Sequence, residues 1–119
     1  MSNAHGSKWI RPEKRLAIYL RDGFACVYCK VEAEAGEGGG LSLDHVTPRE
    51  MGGTHHATNL VTCCCSCNSA RQDTPMRAWL QYLRDKGVDT AGVARAVKSS
   101  TARKLDIKAG KALLAARRA

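Results

Sequence analysis

No stretch of about 18 apolar residues occurs in the 119-residue chain, which excludes a membrane-spanning helix, and its first residues lack the apolar core of a secretory leader. The expectation is a soluble, cytoplasmic protein. Also absent are a linker that would divide the chain and any internal repeat beyond a doubled cysteine pair, so one compact unit is the simplest organisation. A core forms at this length but stays modest without cross-links, so something besides apolar burial is expected to help. Disulfides are not that help, because six cysteines without an export signal point to a reducing compartment. Residues 1–11 are expected to be a disordered lead segment and residues 12–119 a single domain.

Net charge is missing from the first 74 residues, where eight Lys/Arg meet eight Asp/Glu. Residues 75–119 hold eleven Lys/Arg against Asp85, Asp89 and Asp106, so the whole excess of +8 sits there. One-sided basic charge suits a polyanionic partner, because each cation that meets a phosphate releases condensed counterions. A solvated helix surface explains the same charge.

Pro12 suits a first helical turn, Leu16, Tyr19 and Leu20 recur on one face, and Gly23 stops the pattern. Residues 32–40, with three glutamates and four glycines, read as a surface loop. Leu41-Ser-Leu43-Asp44-His45 alternates as a short strand does, and Asn59-Leu60-Val61-Thr62 is a second candidate. Thr74-Pro75 caps a helix carrying Met76, Trp79, Leu80 and Leu83, with Trp79 expected in the core. Asp89 and Thr90 cap another, with Val93, Ala94 and Val97 inward. A last helix is expected from about Thr101 to Arg117, apolar along Ala102, Leu105, Ala109, Ala112, Leu113 and Ala116, with Lys104, Lys108 and Lys111 aligned on a different face.

Four cysteines form two C-x-x-C knuckles, Cys26 with Cys29 and Cys64 with Cys67, which is tetrahedral zinc spacing. Cys63 and Cys65 compete for the second knuckle's register. The gap between the knuckles far exceeds the about 15 to 20 residues of an ordinary zinc ribbon. It holds Asp44-His45, Gly52-Gly53 and Asn59-Leu60-Val61, and Asn68 follows the second knuckle at once.

In this order and spacing, from about Arg15 to Asp73, the chain resembles the HNH endonuclease family. The resemblance implies a small α+β fold: a ββα-metal (His-Me finger) motif with zinc knuckles and flanking helices, the basic ones spanning 75–119. It implies His45 as general base, Asn59 fixing the loop and orienting His45, and Asp44 with Asn68 as ligands of a catalytic Mg2+ or Mn2+. The third letter of the motif is Asn68 instead of histidine, which makes an all-oxygen donor set that suits those hard cations. Structural zinc on Cys26, Cys29, Cys64 and Cys67 would have no open position for water. The implied activity is metal-dependent hydrolysis of DNA phosphodiesters. Arg71 is a candidate phosphate contact or a solvated arginine. His55 and His56 are exposed loop residues or further DNA contacts, and Lys104, Lys108 and Lys111 are expected to hold DNA. The rival reading is a zinc-stabilised DNA-binding module without catalysis.

Overall fold

The computed structural model describes residues 9–32 and 40–118. Helix α1 (Pro12–Arg21) starts on the proline, whose fixed φ suits the first turn, and ends at Gly23, whose φ of 74° is left-handed. It buries Leu16, Ala17, Ile18 and Tyr19, whereas Leu20, expected inward, is 40 % exposed. Within the segment expected as a disordered lead, Ile10 is buried and Arg11 accepts the first backbone bond of α1. Residues 1–8 lie outside the described residues.

Strand β1 (Leu41–His45) pairs antiparallel with β2 (Leu60–Cys64), with Leu41 opposite Cys64 and His45 opposite Leu60. Every residue of β2 is buried, because the hairpin separates two apolar clusters. One gathers Ile10, Leu16, Ile18, Phe24, Leu41, Leu43 and Leu60; the other joins Val27, Tyr28, Val61, Cys63, Trp79, Leu83 and Val93. Asp22 couples the elements around β2: its carboxylate pairs with Arg21 at 2.7 Å, accepts the Thr62 amide at 2.9 Å and bonds the Ser100 hydroxyl.

Helix α2 (Cys65–Arg71) leaves β2 without a connecting loop, so hairpin and helix form one ββα unit. Helix α3 (Met76–Asp85) buries Trp79 and Leu83. Its N-cap is Pro75 itself, and no side chain caps it, in place of the expected Thr74. Helix α4 (Thr90–Ala102) is capped by Asp89, whose carboxylate accepts the Gly92 amide at 3.2 Å, and Ala94 faces out.

The single last helix expected from Thr101 is instead a break at 103–106 followed by α5 (Ile107–Arg118). Asp106 restarts the helix by accepting the Ala109 amide at 3.0 Å, a capping signal readable from its short side chain. Helix α5 docks on α1, with Leu105, Leu113 and Leu114 against the Leu16 cluster. The crossing is close at Gly110, where a Cβ would overlap the Glu13 carbonyl and press on Ala17 at 3.1 Å. Among the described residues no helix is long and apolar enough to cross a membrane.

Candidate active site

Asp44 and His45 close strand β1, and their side chains leave it on opposite sides, as strand alternation requires. Asp44 turns toward α2 and is 5 % exposed. Its Oδ2 accepts from Tyr28 Oη at 2.5 Å and from Arg71 Nη1 at 2.6 Å. Burial pushes its carboxyl above the usual carboxylate range, and Arg71 and Tyr28 pull the other way. Asn68, on α2, donates its Nδ2 to Ser42 Oγ at 2.8 Å, two residues before Asp44 on the same side of the strand. That bond leaves the Asn68 carbonyl oxygen as the amide's acceptor, and Asp44 Oδ1 takes no side-chain donor among the described residues.

His45 turns the other way and is half-buried. Its Nε2 lies 3.0 Å from His55 Nδ1, and the Trp9 indole covers both rings at centroid distances of 5.0 and 4.5 Å. Burial, then the positive surroundings of His55, Arg49 and Arg71, push the His45 imidazole down to about 4. The ring is therefore neutral at physiological pH.

The loop between the strands is held by Asn59. Its Oδ1 accepts the Thr47 amide at 2.8 Å, and its Nδ2 donates to the carbonyls of Thr47 (3.1 Å) and Thr54 (2.9 Å). Gly53 is needed in this loop, because any Cβ there would collide with the Thr47 carbonyl. Lys14 Nζ reaches from α1 to the His55 carbonyl at 2.9 Å and ties the loop to the helix.

At the base of the hairpin, Cys26, Cys29, Cys64 and Cys67 bring their sulfurs within 4.8 Å of one another, with Cys29 and Cys64 3.7 Å apart. A tetrahedral zinc with Zn–S of about 2.3 Å spaces its sulfurs about 3.8 Å apart, so the cluster fits that ion. Backbone amides of Tyr28 and Cys29 point at the Cys26 sulfur, and that of Cys67 at Cys64. The hydrogen bond between Cys26 and Cys67 pushes the Cys26 thiol down and the Cys67 thiol up from the ordinary thiol value. Cys63 is a buried member of the core, raised by that burial, and Cys65 is exposed; neither joins the cluster.

Residues 26–80 match the sequence profile of HNH endonucleases. Over these residues the chain is similar to HNH endonucleases. The matched segment takes in both knuckles, both strands, α2 and the first half of α3, and it ends before α4 and α5. No curated protein matches the chain significantly. The hairpin running straight into α2, with the four-cysteine cluster beside it, is consistent with the ββα-metal arrangement of HNH folds.

Three residues sit differently from their expected places. Arg71 is neither a phosphate contact nor solvated: it is wholly buried, and its guanidinium also donates to Tyr28 Oη and to the carbonyls of His45, Val46 and Thr74. A buried guanidinium needs acceptors on every edge, and the end of β1 supplies most of them. His55 packs on His45 and Trp9, while its neighbour His56 is exposed. Lys104 falls in the break before α5, so only Lys108 and Lys111 share that helix, both exposed. Tyr28 and Trp9 carry no motif that singles them out; their roles come from packing alone.

Proposed function

We propose that the protein is a metal-dependent DNA endonuclease that hydrolyses phosphodiester bonds by a one-metal mechanism, with His45 as general base. The observation that carries this is an imidazole at the end of β1, half-open to solvent and held 3.0 Å from a second ring nitrogen. Such a group takes a proton from water at neutral pH when geometry brings the water to its free nitrogen. Asp44 Oδ1 and the Asn68 carbonyl would hold Mg2+ or Mn2+: both are hard oxygens on one side of β1, the chemistry these cations select. When bound, that ion supplies Lewis-acid stabilisation of charge on the scissile phosphate and its leaving 3′ oxygen. Asn59 keeps loop 46–59 closed, and Arg71 fixes the carbonyls of His45 and Val46, so the base is pre-positioned on rigid backbone. Zinc on the four cysteines is structural, because four thiolates leave no coordination position for water.

DNA is held by the basic excess of residues 75–119, including Lys104, Lys108 and Lys111, and His56 flanks the site as an exposed contact. The ion pair of Asp44 with Arg71 favours one alternative, a zinc-stabilised DNA-binding module without catalysis. In it Asp44 serves only to neutralise a buried arginine. Incubation of supercoiled plasmid with purified protein in Mg2+, Mn2+ or chelator separates the two. Nicked or linear product that needs the added cation supports the nuclease, and intact plasmid with retained binding supports the module.

A further inference from the structure

A neutral imidazole carries one N–H and one lone pair, so which nitrogen is bare decides whether the ring can act as a base. His45 Nε2 faces His55 Nδ1 at 3.0 Å, and one of the two must donate. If His55 donates, the remaining hydrogen of His45 sits on Nδ1 and neither nitrogen is left to take a proton. If His45 donates, its Nδ1 lone pair is open. Only the second arrangement makes a base.

We propose that His55 is a positioning residue that accepts the Nε2–H of His45, and so fixes the tautomer in which His45 Nδ1 is the basic nitrogen. The inference rests on the reading of His45 as general base. The surroundings hold His55 ready for this role before any substrate arrives. Lys14 bonds its carbonyl, and Asn59 bonds the carbonyl of the preceding Thr54, so the backbone at His55 is fixed from two sides. Trp9 lies over both imidazoles, with its ring inclined 35° to each, and limits the water that would compete for the bond between them. In the reaction, the water proton moves to His45 Nδ1 and the oxygen keeps the electron pair. The imidazolium that results still donates through Nε2 to His55, and that bond strengthens as its donor becomes charged. The pair thus works as a base and its orienting partner, with a neutral ring in the place where other dyads use a carboxylate.

The test combines 15N NMR of the histidine rings with plasmid cleavage, on the full chain. In wild type the hydrogen of His45 is expected on Nε2. His55→Ala should redistribute it between the two nitrogens and lower kcat about 10- to 100-fold, less than the about 10²- to 10⁴-fold a whole general base supplies. KM for DNA should change less than about threefold. His55→Asn should recover most of both signals, because its Oδ1 stands near the position of the lost Nδ1; His55→Gln, whose amide reaches the Nε2 position, should not. A purely structural role would not separate Asn from Gln in this order. If His45→Ala cleaves at the wild-type rate, the base reading fails and this inference with it. If His45→Ala is inactive while His55→Ala keeps both tautomer and kcat, the inference alone is overturned. A wild-type His45 with its hydrogen on Nδ1 also overturns it.

Discussion

Removing zinc should unfold much of the protein and not merely slow it. Cys29 gives the cleanest perturbation, because it is exposed and Cys29→Ser costs no core packing, yet its sulfur stands 3.7 Å from that of Cys64. Structural zinc in small domains contributes apparent binding free energies of about 10 to 16 kcal/mol at neutral pH. At roughly 0.05 to 0.15 kcal/mol per residue, a chain of this length has about 6 to 18 kcal/mol of total stability. The two quantities are comparable, so loss of the ion leaves little to hold the hairpin against α2 and the loop after α1. The assay is native mass spectrometry for stoichiometry, with thermal melts in the presence and absence of a zinc chelator. We expect one tightly held zinc in wild type, none in Cys29→Ser, and loss of the cooperative transition in both the variant and the chelated protein. Cys65→Ala, at an exposed cysteine outside the cluster, should keep both zinc and melting temperature. A folded, zinc-free wild type with an unchanged melt would rule out a structural zinc, and loss of zinc in Cys65→Ala would rule out this set of ligands.

The packing and the charge set three further outcomes. Burial works against the charge on Asp22, but Arg21, Ser100 and the Thr62 amide hold its carboxyl below the ordinary aspartate value of 3.8. Its contribution to stability is therefore present above that pH and lost as pH falls through the folded-state value; Asp22→Asn, which removes the counter-charge of the buried Arg21, should cost about 3 to 5 kcal/mol at neutral pH in urea melts and flatten the acid limb. At Gly110, helix propensity alone predicts that Ala stabilises by about 1 kcal/mol, whereas overpacking against α1 predicts a loss of about 1 to 3 kcal/mol; a lowered melting temperature supports the close crossing, and a raised one rejects it. Changing Lys104, Lys108 and Lys111 together to Ala should make the salt dependence of DNA binding shallower by roughly 0.9 for each phosphate that is no longer neutralised, with unchanged slopes assigning DNA to other cations.

What the sequence made legible was local. The knuckles, the first strand, the proline start of α1 and the Asp89 cap are each set by residues within a few positions of one another and stand where their patterns predict, whereas the second strand runs over Leu60–Cys64 and leaves Asn59 in the turn before it. The environment of Arg71 could not be read that way. Arginine is almost never fully buried unless paired, and its partners here come from Tyr28, β1 and Thr74, which only the folded chain assembles. The His45–His55 contact depends likewise on a loop closed by Asn59 and Gly53, and Trp9 meets that pair through tertiary packing. The break before α5 was legible in principle, since Asp106 is a good N-cap. The surrounding run of alanine, leucine and lysine hid it, because that composition is also compatible with one continuous helix.

Whether His45 activates water for phosphodiester hydrolysis is decided by the single-turnover cleavage rate of supercoiled plasmid in Mg2+, wild type against His45→Ala at saturating protein. The expected result is a rate lowered by about 10²-fold or more with DNA affinity nearly intact, because a general base acts in the transition state and not in ground-state binding. Cleavage by His45→Ala at the wild-type rate would contradict it.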